Sequence, residues 1–372
     1  MEAKMCPLGA EALKERLLRA WQGRVSGCQL GKPLEVLSMK EGTEAVESYL
    51  RKAEAWPLRD YVPLVSGSAV EPYSASCKEK ICRSEPDDDI NYTVLALLML
   101  EKHGLELSTI DVARHWLLNL PIASTWTAER AALAILITEM NDTFAQGDAP
   151  GFDLRRCSEN VYSEWIGAQI RADLYGWVLP GRSRVAAQLA RQDAQLSHRG
   201  EGVYGAQFVA ALGSAIHPGE SISRAVRLAL AEIPSSSACA HAIELGLNSA
   251  LQGKGLGKIR LELGHYPVVH TVNNLAVVVW ALASFPNDFA AAIGEAAAAG
   301  WDTDCNAATV GGLWGLQGKP IPELFTAPWA GKIMTDLSGQ GEFRLEDIVE
   351  RSFRLSRGLL EKAVQFDLPQ KE

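Results

Sequence analysis

The chain has 372 residues, 47% of them hydrophobic and 22% charged, which is ordinary for a globular protein able to bury a large core. Its 36 basic and 45 acidic side chains leave a net charge of −9, which argues against nucleic acid and acidic membrane surfaces as partners. The seven cysteines, at positions 6, 28, 77, 82, 157, 239 and 305, are odd in number and never spaced Cys-x-x-Cys, which argues against a disulfide framework and a structural zinc site.

In chain order, the N-terminal stretch MEAKMCPLGAEALKERLL lacks the uninterrupted apolar run of a secretory signal. No later stretch reads as a membrane span, so a reducing cytoplasm is the expected compartment. Leu13, Leu17, Leu18, Trp21 and Val25 recur at helical spacing. The segment 56–86, with Pro57, Pro63, Pro72 and Pro86, reads as a long surface loop leading to a site. Residues 91–102 form an apolar helix that Gly104 can stop. The same period returns over 127–140, 184–195, 203–216, 222–232, 272–284, 288–299, 305–316 and 344–364. Many of these segments are rich in Ala and Gly, which lets helix axes approach closely. Strand signals are few, and neither a linker nor a fixed repeat divides the chain. The expectation is an all-α protein: one compact helical domain over residues 1–372.

Glu85-Pro86-Asp87-Asp88-Asp89-Ile90-Asn91 stands directly before the helix at 91. One aspartate satisfies a helix N-cap and suits the helix dipole. Three adjacent aspartates repel one another, and a hard divalent cation with oxygen ligands would neutralise them. The second acidic cluster is Gly300-Trp301-Asp302-Thr303-Asp304-Cys305-Asn306. On a regular helix Asp302 and Asp304 would point roughly 200° apart, but they can converge in a turn that opens one. Capping explains either cluster alone; two acidic helix starts together favour a shared metal site. His270-Thr271-Val272-Asn273-Asn274 opens another apolar helix and is accounted for by capping. Trp165, Trp301 and Tyr204 read either as stacking surfaces for a base or sugar or as pocket wall.

These landmarks resemble the ADP-ribosylglycohydrolase family, whose pattern places Thr-Asp-Asp-Thr before one helix and Gly-Gly-Asp-Thr-Asp-Thr before another. The counterparts here are Asp87-Asp88-Asp89-Ile90 and Gly300-Trp301-Asp302-Thr303-Asp304-Cys305. The family's Gly-Asp-Ala-Leu-Gly-x-Pro-x-Glu corresponds to Gly27-Cys28-Gln29-Leu30-Gly31-Lys32-Pro33-Leu34-Glu35, read as a Gly-Lys-Pro turn before a mobile glutamate. A mid-chain Gly-x-x-x-Arg loop is similar to Gly167-Ala168-Gln169-Ile170-Arg171, and Leu-Thr-His to Leu196-Ser197-His198, which precedes a glycine-rich loop. The landmarks fall in family order over about residues 15–320, leaving a helical extension at 340–366.

The resemblance implies two magnesium ions, with manganese as the substitute, held by Asp87, Asp88, Asp89, Asp302, Asp304 and Cys305. It implies Glu35, Asp89 and Asp302 as the groups that orient or deprotonate a water. It implies Gly167, Gln169, Arg171, His198 and Tyr204 as substrate-binding residues. The implied reaction is hydrolysis of the glycosidic bond at the anomeric carbon of a ribose, in an ADP-ribosyl small molecule or an ADP-ribosylated protein. Three departures stand out: Asp87 and Cys305 replace family threonines, and Cys28 replaces the early aspartate. A thiol is a poor partner for a hard cation. Two alternatives stay open: an N-glycosidase acting on a small ribosyl metabolite, and a metal-binding protein without catalysis.

Overall fold

The computed structural model describes residues 8–366; Cys6 and the first seven positions of the N-terminal stretch lie outside the described residues. The chain opens with α1 (Ala10–Glu41), followed by α2 (Thr43–Lys52). The Gly31-Lys32-Pro33 sequence, expected as a turn, therefore lies inside α1. A proline inside a helix costs about 3 kcal/mol or more through a lost hydrogen bond and a ring clash. Burial offsets that cost, since Leu30, Pro33, Leu34 and Leu37 are all buried around it.

The irregular stretch expected over 56–86 is present and carries a short 3-10 helix at Glu71–Ser76. Next come α3 (Asp88–His103), α4 (Thr109–Asn119) and α5 (Thr127–Glu139). Gly104 ends α3 with φ of +58°, the left-handed stop its position suggested. Two short helices follow, α6 (Gly167–Ile170) and α7 (Asp173–Trp177), so the expected 167–171 loop is a helical turn.

Then come α8 (Ser183–Ala194), α9 (Gly200–Ala215), α10 (Ile222–Leu230), α11 (Ala238–Leu251) and α12 (Gly257–Leu263). The glycine-rich run after His198, expected as a loop, forms the first turns of α9. Its glycines serve close packing: a Cβ on Gly205 would stand 2.5 Å from Thr271 Oγ1. The remaining elements are α13 (Thr271–Ser284), α14 (Phe289–Ala298), α15 (Thr303–Gly315), α16 (Glu323–Thr326) and α17 (Leu345–Phe366). Before α17, β1 (Lys332–Met334) and β2 (Glu342–Arg344) pair antiparallel with Ile333 opposite Phe343. The fold is all-α with this one small hairpin among the described residues.

One contiguous apolar core runs from Leu13 to Leu359. At its centre α15 lies directly on α1. Gly23, Gly27 and Gly31 repeat every four residues and so share one face of α1. A Cβ on Gly27 would stand 2.0 Å from the Ala307 carbonyl oxygen, and one on Gly31 would stand 2.4 Å from Asp304 Cα. This seam of missing side chains carries the start of α15 onto α1. Buried Arg16 closes the far end by donating to the carbonyls of Gly213 (2.5 Å), Ile216 (2.6 Å) and Leu316 (2.9 Å), orphan acceptors where α9 and α15 end. No helix among the described residues is long and apolar enough to cross a membrane. The six described cysteines are free thiols.

Candidate functional site

Three segments meet at one place: the second half of α1 and the starts of α3 and α15. The approach to α3 is held from α1. Gln29 Oε1 accepts from the Glu85 backbone N–H (3.0 Å) and from Ser76 Oγ (2.9 Å), while its Nε2 donates to Glu85 O (3.2 Å). The hairpin holds the same approach, because the Ser84 N–H donates to Lys332 O at 2.9 Å. Asp87 then caps α3, its Oδ1 accepting from the Asp89 N–H at 3.0 Å.

The start of α15 is set by two successive left-handed residues, Gly300 (φ +77°) and Trp301 (φ +57°). For a bulky residue that conformation costs on the order of 1–3 kcal/mol. Gly300 has no alternative, because a Cβ there would lie 2.5 Å from Thr43 Cγ2. The turn leaves Asp302 as N-cap and Asp304 in the first helical turn. Asn274 on α13 fixes it: its Oδ1 accepts from the Asp302 N–H (3.2 Å) and from Asn306 Nδ2 (2.7 Å). Thr303 Oγ1 donates to Gly31 O at 2.9 Å, tying the turn to α1.

The two acidic helix starts thereby converge. Ligand atoms of Asp89, Asp304 and Cys305 lie within 4.8 Å of one another, and so do those of Glu35, Asp302 and Asp304, and those of Cys28, Asp87 and Asp89. Burial, and then the charge of neighbouring carboxylates, raises Asp88, Asp304 and Glu35 well above the usual carboxylate range. Burial also raises Asp89 despite Arg24, whose guanidinium pairs with Asp89 Oδ1 at 2.8 Å and Asp173 Oδ2 at 2.9 Å. Asp302 is pushed up to about 6, chiefly by burial. Asp87 goes the other way. Burial would raise it, but the Lys32 ammonium, 2.5 Å from its Oδ2, holds it below its ordinary value.

Two buried oxygens in this centre, Asp89 Oδ2 and Asp302 Oδ1, have no hydrogen-bond partner among the described residues. Leaving such an oxygen unpaired is costly, and a divalent cation is the partner that hard carboxylate oxygens fit. The thiols fit less well. Burial first, then the adjacent carboxylates, raises Cys28 and Cys305 well above the ordinary thiol range, and a sulfur donor is a poor match for a hard ion.

The expected substrate residues form a second group. Arg171 is enclosed: its guanidinium donates to Asp193 Oδ1 (2.9 Å), Glu129 Oε1 (2.6 Å) and Ser197 Oγ (2.9 Å), and its side chain is 1% exposed. Gly167 packs against Glu129, whose Oε1 would lie 2.2 Å from an added Cβ. Gln169 is buried and accepts from Thr271 Oγ1 at 2.7 Å. His198 Nδ1 bonds Ser197 Oγ at 2.8 Å, while its buried Nε2 makes no hydrogen bond among the described residues and lies 3.8 Å from Glu129 Oε1. His198, Tyr204, Arg199 and Arg155 line a cavity of about 670 Å³. Tyr92 on α3 connects the groups, its ring 5.8 Å from the Arg171 guanidinium. The structure thus gathers Arg171, His198 and Gly167 around Glu129 and Ser197, with buried His198 and half-buried Tyr204 at the cavity wall.

Arg171→Met is expected to destabilise the fold by about 3–5 kcal/mol, because it strands the Glu129 and Asp193 charges in the interior. Chemical denaturation measures this. Unchanged stability with weakened substrate binding would instead make Arg171 a ligand-facing residue.

Sequence reasoning passed over Arg24, Gln29, Lys32 and Asn274. The signal for the first three is a run of polar side chains on a glycine-rich, otherwise apolar helix. Asn274 was hidden because capping already explained its neighbourhood.

Residues 10–357 match the ADP-ribosylglycohydrolase family. No curated protein is a match. Among solved structures, an "ADP-ribosylglycohydrolase-related protein complex" aligns with a TM-score of 0.53 and 18% identity, over 93% of this chain and 99% of that chain.

Proposed function

The chain belongs to the ADP-ribosylglycohydrolase family, which supports a glycosyl hydrolase function, and on that premise we propose that it hydrolyses an ADP-ribosyl bond at the anomeric carbon of ribose with the help of Mg²⁺. The observation that carries the reading is the convergence of two acidic helix starts around the unpartnered oxygens Asp89 Oδ2 and Asp302 Oδ1. Asp88, Asp89, Asp302 and Asp304 supply the oxygen ligands in this reading. Asp87 joins them only by giving up Lys32 or its cap, and Cys305 only as a weak thiol donor. Bound Mg²⁺ supplies Lewis acidity toward substrate oxygens and eases deprotonation of a water.

The protein side of the chemistry is positional. In the reaction a water oxygen bonds to the anomeric carbon, the bond to the leaving group breaks, and the water gives up its proton. Glu35, one α1 turn beyond Gly31 and grouped with Asp302 and Asp304, is the proton acceptor. Burial, and then the charges of Asp304 and Asp302, raises its pKa well above the usual carboxylate range, which makes it a stronger base than a free glutamate. Asp89 and Asp302 orient the water. The surrounding carboxylates stabilise the positive charge that develops on the sugar. In this reading His198 and Tyr204, which line the 670 Å³ cavity, contact the substrate, and Arg171 and Gly167 support His198 from behind through Glu129 and Ser197. We take the whole chain as one such domain, working in the cytoplasm on a small ADP-ribosyl compound or an ADP-ribosylated protein.

The test is release of free ADP-ribose or ribose from a panel of ADP-ribosyl compounds and nucleosides, with Mg²⁺ or Mn²⁺ and with chelator. ADP-ribose release that chelator stops is expected. Turnover of nucleosides alone moves the protein to small-molecule N-glycosidases, and no turnover of any compound overturns the reading.

Stability should report the same centre. Asp302 rises to about 6, and burial raises Asp173 to about 7. Against about 3.9 in the unfolded chain, the folded protein binds the extra protons, so its stability falls as pH rises from about 4 to 7. Mg²⁺ offsets the unprotonated charge. The melting temperature without metal should drop between pH 5 and 7.5, and Mg²⁺ should raise it more at pH 7.5. A metal-free melting temperature that climbs over that interval would contradict the assignment.

A further inference from the structure

The acidic centre is not uniform from end to end. At one end lie Glu35, Asp302 and Asp304. Among the described residues no lysine or arginine pairs with any of the three, and Asp302 Oδ1 lacks a partner altogether. At the other end lie Cys28, Asp87 and Asp89. Here almost every ligand atom is already used. Asp87 Oδ1 caps α3 and its Oδ2 meets the Lys32 ammonium at 2.5 Å. Asp89 Oδ1 is held by Arg24, and Cys28 offers only a buried thiol. The ammonium is anchored a second time by the Pro86 carbonyl at 2.6 Å, and the Lys32 side chain is only 17% exposed.

We infer that this chain holds a single divalent ion, at the Asp302–Asp304 end with Glu35 beside it as the proton acceptor, and that the Lys32 ammonium is a built-in cation filling the other end in place of a second metal ion. The inference rests on the metal reading of the proposed function and specifies how that centre is loaded. Its physical basis is ligand supply and charge. A second Mg²⁺ would need several oxygens at about 2.0–2.1 Å, and among Cys28, Asp87 and Asp89 only Asp89 Oδ2 is an unpartnered oxygen. It would also have to enter beside an ammonium already neutralising Asp87, and like charges at that range repel strongly in a buried site. Cys28, Lys32 and Asp87 therefore act together to close this end: the thiol offers no oxygen ligand, and Lys32 supplies the positive charge internally to Asp87.

Mn²⁺ binding to the intact protein tests this, counted by calorimetry and by electron paramagnetic resonance. The wild type should bind one Mn²⁺ per chain and show no spin coupling between ions. The double variant Cys28→Asp, Lys32→Met restores an oxygen ligand and removes the ammonium, and should bind two Mn²⁺ with a coupled spectrum. Lys32→Met alone should add a second, weaker site, at least about tenfold weaker than the first. Two coupled ions in the wild type overturn the inference while leaving the metal reading intact. A folded double variant that still binds one ion shows that Lys32 is not what excludes the second, and overturns it equally. No Mn²⁺ bound by the wild type overturns the metal reading itself and this inference with it.

Discussion

Asp304→Asn is expected to lower kcat/KM by at least about a thousandfold, or about 4 kcal/mol of transition-state stabilisation. Asp304 belongs to both groups that unite the start of α15 with the rest of the centre, one with Asp89 and one with Glu35 and Asp302. Without metal the substitution should not harm the fold. Burial, and next the charges of Asp87 and Asp302, raises this carboxyl well above its usual range, so its ionised form is a burden there. The metal-free variant should melt at or above the wild-type temperature. Only the wild type should gain further stability from Mg²⁺, because a ligand stabilises the state that binds it. Parallel melting curves and steady-state kinetics check both halves. Turnover within tenfold of wild type would remove Asp304 from the site.

Gly27→Val should damage the helix seam severely, destabilising by at least about 3 kcal/mol, the upper part of the usual range for overpacking. A Cβ on Gly27 would lie 2.0 Å from the Ala307 carbonyl oxygen and 2.5 Å from its carbon. The neighbour is helical backbone, which cannot swing aside as a side chain can, so α1 and α15 must separate. That separation breaks the Thr303–Gly31 hydrogen bond and moves Asp304 away from Glu35. Stability and metal affinity should therefore fall together. Urea denaturation combined with Mn²⁺ titration measures the two. A variant of wild-type stability would show that the helices do not meet as described.

The two acidic helix starts were legible without coordinates because both are local events. An aspartate before an apolar period marks a helix start whatever surrounds it, and three in succession exceed what capping needs. The helical period similarly placed α3, α5, α8, α13, α14 and α15 close to their observed bounds. It failed across Gly31-Lys32-Pro33, where local rules favour a turn and the buried faces of Leu30, Leu34 and Leu37 keep α1 continuous.

The roles of particular side chains were decided elsewhere. Arg171 has the same local pattern whether it faces a ligand or an ion pair; only the arrival of Glu129 from α5 and Asp193 from α8 encloses it. Asn274 looks like a helix-start residue until the Asp302 backbone comes to rest on its amide oxygen. Lys32 is an unremarked turn residue until α3 brings Asp87 against it from 55 positions away. The sequence by itself determined many of the helices, though not α2, α4, α11 or α12, together with their acidic starts and the family pattern, because propensity, capping and period act within a few residues. Which carboxylates share a centre, which cation already sits among them, and which arginine is spent on structure were decided by tertiary packing. Those outcomes depend on contacts such as that of Thr303 with Gly31, spanning 272 positions, and on a dielectric that exists only once the core has closed.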